Sequence, residues 1–368
     1  MEGENIITQR GKRIIEQIKE PVDVLFVYNP GEPLVDDNFF YLTGVEYGLF
    51  EGCMVLAHPD GNRELIVSAL EAESAAQASA PLHVYHTTQE KDELLKKLVG
   101  KHSRVGINFQ RMTHHDLLHF KKVCTPSAVV DSAQAFQQCR MVKDADERGR
   151  ITQACRIADQ VASRIPSLVT DSMKEYELAA EIDYLMQKQG AQQPAFTTIS
   201  SFGTNTAQPH YTHGDSVLQH GAFVLCDFGA QYKRYNSDIT RTFVCTNPTK
   251  EQQDMHATVL DAQHHALDLI QPGVKAAEIH QAVADFIDTT PWKGRFIHSL
   301  GHSLGLAVHD GPGFTASSPT VLEENMVLTV EPGVYVPGIG GVRIEDDILV
   351  TKDGCQQLTT TTRDLLVV

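Results

Sequence analysis

Two strand-like segments that each carry an aspartate most constrain how this chain can fold. The runs AFVLCDFG and SDITRTFVC are rich in β-branched and aromatic residues and flank a short polar segment, which is typical of a hairpin. Centred between Tyr232 and Lys233, this hairpin places Asp227 directly opposite Asp238. Directly opposed residues have Cβ atoms about 5 Å apart, where like charges repel. A shared proton or a bridging divalent cation would offset that repulsion.

A second pair of acidic residues recurs in the same arrangement near the end of the chain. Glu331 lies in MVLTVEPGVYV and Glu345 lies in GVRIEDDILV, two β-rich runs joined through PGIGG. A hairpin centred on Gly338 places these two glutamates opposite each other. His302, in HSLGHSLGLAVHD, lies between the two acidic pairs in the sequence. Four carboxylates and one imidazole form a hard ligand set that matches two divalent ions with an activated water between them.

Several sequence blocks, taken in order, resemble one known family. The segments DFG and SDITRTF, then GHSLGLAVHD, EPGVY and GVRIEDD are similar to the motifs of the pita-bread metallopeptidases. More narrowly, they resemble the proline-specific branch, the prolidases and Xaa-Pro aminopeptidases. These motifs cover residues 200–350, and NFFYLTG near the N-terminus resembles the non-catalytic domain of the same branch.

The pattern of predicted elements and the resemblance together imply two domains of mixed α/β (α+β) class. Strands and helices alternate in residues 1–131, which indicates a creatinase/prolidase-type N-terminal domain with a mixed sheet. The resemblance implies a pita-bread catalytic domain in residues 132–368, entered by a helix from about residue 144. Residues 1–20 are amphipathic and charged, so they predict a helix and lack the apolar core of a signal peptide.

The resemblance also implies five metal ligands, of which the second aspartate and the last glutamate bridge the ions. These ligands are Asp227, Asp238, His302, Glu331 and Glu345. Glu345 is followed by Asp346 and Asp347. The sequence alone also allows one of these three acids to be a solvated charge in a turn. The motif assigns the ligand role to the first of them.

Five histidines compete for roles at the expected site. The GHxxG motif selects His302 as the ligand over His298 and His309. His309 resembles the histidine that contacts the substrate carbonyl or the tetrahedral intermediate, and His210 resembles the second such histidine, with His213 ranked below it. His298 resembles a residue that supports the ligands or contacts substrate, although packing alone is an equally good interpretation of the sequence.

Two further residues have roles that the resemblance implies. Arg343, two residues before Glu345, resembles a guanidinium that holds the ligand carboxylates, with an exposed strand residue as the alternative. Glu331 is expected to relay a proton to the leaving nitrogen. That nitrogen must be protonated by the site, because an imide-type bond to proline has no N–H.

The expected activity is that of a dinuclear metal-dependent exopeptidase, which hydrolyses the bond between an N-terminal residue and proline. We expect Mn²⁺, with Co²⁺, Zn²⁺ and Fe²⁺ as alternatives, and a peptide substrate with proline at its second position. The stretch HDGPGFT lacks the arginine with which some prolidases bind the free carboxylate of a dipeptide. The short connection between Glu331 and Glu345 is nevertheless similar to compact prolidases, so dipeptidase and aminopeptidase remain alternatives.

Three other functions fit parts of the same pattern. A methionine aminopeptidase shares the five ligand types, but GVRIEDD is not its typical ending. A creatinase-like carbon–nitrogen hydrolase shares the fold without the metal set. Inactive binding proteins on this fold lose ligands, whereas this chain has a residue of the correct type at every ligand position.

Composition limits the partners and the compartment. The net charge of −16 and the lack of a basic stripe argue against nucleic acid as a partner, and no apolar run is long enough to predict a membrane span. The seven cysteines form no CxxC pair, so we interpret them as reduced thiols of a cytoplasmic protein. We also expect a homodimer.

Overall fold

The computed structural model describes residues 6–368 and divides the chain into two units, Met1–Arg140 and Met141–Val368. The domain boundary expected after residue 131 stays a prediction. Within the segment 1–20 that predicts a helix, helix α1 spans Ile6–Gln17. The first five residues of that segment lie outside the described part of the chain.

The first unit is built on one sheet of six strands, and this sheet is mixed, as the sequence predicts. The strands are β1 (Val24–Asn29), β2 (Cys53–Ala57), β3 (Arg63–Ser68), β4 (Leu82–Tyr85), β5 (Arg104–Ile107) and β6 (Ala128–Asp131). Their order is β4-β3-β2-β1-β5-β6. β1 pairs antiparallel with β2 and parallel with β5, which makes the sheet mixed.

Five more helices begin in the described part of the first unit. They are α2 (Asp37–Thr43), α3 (Ala72–Ala75), α4 (Thr88–Leu98), α5 (His114–Cys124) and α6 (Ala133–Met141). Phe26 of β1 stacks on Phe120 of α5 with ring centroids 4.9 Å apart. Leu95 and Leu98 of α4 join the same buried cluster, so α4 and α5 pack on the sheet through apolar side chains.

The second unit contains longer helices and several short strands. Its helices are α7 (Ala145–Ala162), α8 (Ile165–Leu168), α9 (Glu175–Lys188), α10 (Lys250–Leu269) and α11 (Ala276–Asp288). Its strands are β7 (Gln193–Pro194), β8 (Ile199–Phe202), β9 (Phe223–Phe228), β10 (Ala230–Tyr232), β11 (Tyr235–Asn236), β12 (Ile239–Val244), β13 (Val327–Val330), β14 (Gly333–Val336), β15 (Gly340–Arg343), β16 (Asp346–Thr351) and β17 (Gly354–Gln357). No helix within residues 6–368 is long and apolar enough to cross a membrane.

The helices of the second unit cover its strands in two groups. One apolar cluster joins α7 and α9 to β9 and β12, and another joins α10 and α11 to β13–β16. The strands of the two clusters contact each other where the Thr242 hydroxyl of β12 donates to the carbonyl of Arg343 on β15, at 2.9 Å. The aspartate hairpin and the glutamate hairpin therefore lie side by side between two layers of helices.

The predicted register of the aspartate hairpin is wrong by two residues. β9 pairs with β12 so that Asp227 lies opposite Thr240 rather than Asp238. The turn residues are Lys233 and Arg234, with φ of 47° and 74°, as a two-residue type I′ turn requires. Neither is the Asn or Gly that usually marks this turn, so no local signal fixes its centre. Because side chains alternate between faces, a shift of two residues leaves both aspartates on the same face.

The predicted register of the glutamate hairpin is confirmed. β13 and β16 pair with Val330 opposite Asp346, and β14 and β15 continue in the same register. Glu331 therefore lies opposite Glu345, as the sequence predicts. Gly338, at the centre of the turn, has a φ of 84° that favours glycine.

We predict that Thr249→Ala lowers the free energy of unfolding of the second unit by about 1 kcal/mol. The Thr249 hydroxyl accepts a hydrogen bond from the backbone N–H of Gln252 at the start of α10, and alanine removes it. Denaturant unfolding followed by circular dichroism measures the change. Thr249→Ser keeps the hydroxyl and is the control, so equal losses in the two variants would contradict the capping role.

Candidate metal centre

One cleft in the second unit collects the residues that the sequence assigns to the site. Its volume is about 650 Å³. The predicted residues that line it are Asp227, Asp238, His210, His298, His302, His309, Glu331, Arg343 and Glu345. His213, the lower-ranked rival of His210, instead places Nδ1 3.0 Å from the carbonyl oxygen of Thr198. The two hairpins and the loop that carries His302 and His309 therefore share one polar interior.

The two aspartates are buried, and Oδ1 of each lacks a hydrogen-bond donor among the described residues. Asp227, on β9, accepts a hydrogen bond at Oδ2 from Nη2 of Arg343 at 2.5 Å. Asp238 lies directly before β12, with Oδ2 3.5 Å from Nε2 of His302. Among the described residues, nothing donates to Oδ1 of either aspartate. Buried carboxylate oxygens without a partner are costly, so this pair favours a cation or a proton between its oxygens.

The two glutamates lie opposite each other in their hairpin, and their backbone N–H groups point away from it. The backbone N–H of Glu331 donates to the carbonyl of Leu300 at 2.8 Å. The backbone N–H of Glu345 donates to the carbonyl of Thr240 at 3.2 Å. The Thr240 hydroxyl in turn donates to Oε2 of Glu345 at 2.6 Å. Each glutamate is thereby fixed to a segment that carries another residue of the site.

His302 presents a nitrogen lone pair to the carboxylates. Its Nδ1 lies 3.2 Å from the carbonyl oxygen of Ser303, which can only accept, so Nδ1 carries the proton. Its Nε2 lies 3.5 Å from Oδ2 of Asp238 and 3.6 Å from Oε1 of Glu331. Burial, followed by the neighbouring His309, lowers the pKa of His302 to about 4. A neutral imidazole fixed through one nitrogen and open at the other is the usual state of a histidine ligand.

Burial raises the pKa of three acids in the cleft. It raises the pKa of Glu331 to about 7, with the charge of Asp227 acting in the same direction. The pKa values of Asp238 and Glu345 rise well above their ordinary values, through burial first and then through the neighbouring carboxylates. The cleft therefore favours either protons or cations at these oxygens over four unshielded charges.

The donor set of the cleft fits divalent metal ions. Asp238, His302 and Glu345 each offer one ligand atom, and these three atoms lie within 4.8 Å of one another. Asp227 and Glu331 line the same cleft and bring the set to four carboxylates and one imidazole. Hard divalent ions prefer carboxylate oxygen and accept imidazole nitrogen. Bound cations would supply the partner that Oδ1 of each aspartate lacks.

A hydrogen-bonded chain behind the ligands runs through Tyr335, which the sequence analysis missed. Nη1 of Arg343 donates to the Tyr335 hydroxyl at 2.9 Å, so the hydroxyl proton is directed to Nε2 of His298, also at 2.9 Å. Nδ1 of His298 donates to the next backbone carbonyl at 2.8 Å. Arg343 is buried, not exposed, and its contact with Asp227 completes the chain. Tyr335 lies four residues after Glu331 in extended chain. Side chains of a strand alternate between its faces, so this even spacing places Tyr335 on the same face as Glu331 and could have identified it from the sequence.

His309 and His210 lie beside the ligands in the cleft. The ring centroid of His309 lies 4.1 Å from that of His302. Burial, followed by nearby His210, lowers the pKa of His309, so its ring is neutral at neutral pH. A neutral imidazole has one N–H to donate to an oxygen of a bound molecule.

The two acids after Glu345 are buried, so neither is a solvated turn charge. Asp346 accepts a hydrogen bond at Oδ1 from Nη2 of Arg241 at 2.8 Å. Asp347 accepts at Oδ2 from the backbone N–H of Asp238 at 2.8 Å. These two carboxylates therefore hold the backbone around the ligands.

Comparison with known proteins extends the likeness to the whole chain. The profile of metallopeptidase family M24 matches residues 149–352, and that of the creatinase/prolidase N-terminal domain matches residues 10–142. The Xaa-Pro dipeptidase of Pyrococcus horikoshii is 36% identical over 365 residues, which cover 98% of this chain and 100% of the relative.

Solved structures agree with these matches. A prolidase structure from Pyrococcus horikoshii has a TM-score of 0.88 at 34% identity, with 98% of this chain and 100% of that chain covered. An X-Pro aminopeptidase from Thermotoga maritima has a TM-score of 0.90 at 30% identity, with 98% and 100% covered. These likenesses confirm the expected fold class, a creatinase-type N-terminal domain followed by a pita-bread catalytic domain. The chain belongs to metallopeptidase family M24 and carries the creatinase/prolidase N-terminal domain of that family.

Proposed function

We propose that the protein is a dinuclear metal-dependent exopeptidase that hydrolyses the bond between an N-terminal residue and proline. The observation that carries the proposal is the convergence of two acidic hairpins and His302 on one cleft. Relatives named Xaa-Pro dipeptidase and a neighbour named X-Pro aminopeptidase support the substrate class. Dipeptides and longer peptides with proline at the second position are the candidate substrates.

Asp227, Asp238, His302, Glu331 and Glu345 would hold the two ions. When bound, divalent ions polarise a carbonyl and lower the pKa of a water so that it acts as a nucleophile at neutral pH. Mn²⁺ is our first choice, because carboxylate oxygens dominate the ligand set.

The remaining residues of the cleft would bind the substrate and move its protons. Glu331 would carry a proton to the proline nitrogen, which has no N–H of its own and leaves only when protonated. His309 and His210 would each donate an N–H to the oxygen of the scissile carbonyl as negative charge develops there. Phe196 and Val308 line the cleft and offer apolar surface for the proline ring.

The cellular compartment and the oligomeric state of the protein remain predictions. All seven cysteines are free thiols, which supports the cytoplasmic location that we propose. The homodimer is likewise retained as a prediction, and sedimentation of the metal-loaded protein checks it.

We predict that the metal-loaded protein binds about two Mn²⁺ per chain and cleaves Xaa-Pro substrates. Elemental analysis gives the stoichiometry, and initial rates on an Xaa-Pro dipeptide and an Xaa-Pro-Xaa tripeptide give the activity and the preferred length. The matched peptides with alanine in place of proline are the controls. A folded protein that takes up no divalent ion, or that prefers the alanine peptides, would overturn the proposal.

We predict that His309→Ala and His210→Ala each lower kcat by a factor of about 10²–10³, because each removes a donor to the developing oxyanion. Metal content should stay at the level of the unsubstituted protein, since neither histidine is a proposed ligand. His213→Ala is the control, because His213 contacts the Thr198 carbonyl. Loss of metal from either variant would make that histidine a ligand and refute its proposed role.

We predict that chelation lowers the melting temperature of the protein, since bound ions stabilise only the folded state, by about 3 kcal/mol at a hundredfold excess over Kd. Asp238→Asn removes one of the mutually repelling charges and one proposed metal ligand together, so chelation should lower its melting temperature less. Melts of both proteins with and without chelator test this. Equal shifts would show that repulsion among these carboxylates contributes little.

The same chelated protein should become more stable as pH falls from about 7 to about 5. The pKa of Glu331 in the folded chain is about 7, above its ordinary value, so the folded state takes up a proton that the unfolded chain does not. That stabilisation is fully present below the ordinary pKa of glutamate and is lost as pH rises through about 7. A chelated melting temperature that rises with pH in this range would contradict the sign.

A further inference from the structure

Two backbone carbonyls of the glutamate hairpin, those of Val330 and Ile344, directly precede Glu331 and Glu345. The backbone N–H of Ile344 donates to the carbonyl of Pro332 at 3.4 Å, but Pro332 has no N–H to return that bond to the carbonyl of Ile344. This missing bond is a gap in the ladder. Val330 borders the gap as the last residue of β13 that pairs with β16.

The side chain of Gln263 on α10 reaches into this gap. Its Nε2 lies 3.2 Å from the carbonyl oxygen of Val330 and 3.3 Å from that of Ile344. The same nitrogen lies 2.9 Å from Oδ2 of Asp346. Gln263 is completely buried, and α10 packs against β13, β14 and β15.

The surroundings fix which end of the Gln263 amide faces the hairpin. Two carbonyls and a carboxylate are all acceptors, so only the NH₂ end can face them. Its two protons serve three acceptors, so one proton is shared. Within residues 6–368, Oε1 of Gln263 has no hydrogen-bond partner, which shows that the orientation is set by the hairpin alone.

We propose that Gln263 is a positioning residue, which sets the spacing of Glu331 and Glu345 by bridging the two carbonyls that precede them. Each carbonyl belongs to the peptide unit that continues into the backbone N of its glutamate, so fixing both carbonyls fixes the separation of the two glutamate backbones. The contact with Asp346 ties the same amide to the residue that follows Glu345. The inference rests on the proposed two-ion site, to which both glutamates contribute.

The test replaces the amide and measures metal binding apart from activity. Gln263→Met keeps a side chain of similar length and removes both donors. Isothermal titration with Mn²⁺ alone should show Kd raised about 10-fold or more, as is typical when a group that orients metal ligands is removed. At saturating Mn²⁺, kcat should fall while KM for an Xaa-Pro dipeptide changes little, because Gln263 does not line the cleft.

Gln252 provides a matched control on the same helix. It is buried, its Nε2 donates to the carbonyl of Gly221 at 2.7 Å, and it lies eleven residues before Gln263. Gln252→Met makes the same chemical change and should lower the melting temperature without changing the Kd for Mn²⁺. An equal rise of the Kd for Mn²⁺ in the two variants would show that Gln263 contributes only to general stability, and it would overturn the proposal.

A second substitution keeps the proposal testable if Gln263→Met does not fold. Gln263→Asn retains the amide but is one methylene shorter, so it cannot reach both carbonyls, and it too should raise Kd. A wild-type Kd in a folded Gln263 variant overturns this inference alone. If the unsubstituted protein itself binds no Mn²⁺, the proposed function fails instead, so the two failures are distinguishable.

Discussion

Mutual repulsion among buried carboxylates is the constraint on which the second unit depends. Asp227, Asp238, Glu331 and Glu345 share one cleft with a single guanidinium, that of Arg343. Arg343 pairs with Asp227 and leaves the other three acids without a cationic side-chain partner among the lining residues. Burial and repulsion raise the pKa of these three. The fold holds them together through backbone bonds, threonine hydroxyls and two layers of helices, and thereby builds a site for cations.

Much of this site is predictable from the sequence, because ligand type and strand period are local properties. The glutamate hairpin has PGIGG at its centre, and a glycine-centred turn fixes its register correctly. The aspartate hairpin turns at Lys233 and Arg234, which carry no turn signal, and its register was wrong by two residues. The error did not move an acid off its face, since two residues are one full period of a strand. The types of the acidic residues therefore locate the site correctly, although the turn residues do not give the correct register of the aspartate hairpin.

The supporting residues were not predictable, because their partners are distant in the chain. Gln263 is one polar residue on an amphipathic helix, and its contacts to Ile344 and Asp346 span more than eighty positions. Asp347 follows a ligand in sequence, yet its role depends on the backbone N–H of Asp238, 109 positions away. No periodicity encodes such pairs. The proton positions on His298 and His302 likewise follow from carbonyls and a hydroxyl that only the folded chain places beside them.

The backbone N–H groups of the two glutamates have a consequence for the order of folding. Glu331 and Glu345 form a pair of the antiparallel ladder whose N–H groups point away from the hairpin, and they bond to Leu300 and Thr240. Thr240 and Glu345 are separated by 105 positions, so this contact closes a long loop and forms only after the intervening chain has collapsed. An isolated glutamate hairpin would therefore carry both acids without the geometry of the site. High-affinity metal uptake then becomes a late event, and it reports that the whole second unit has assembled.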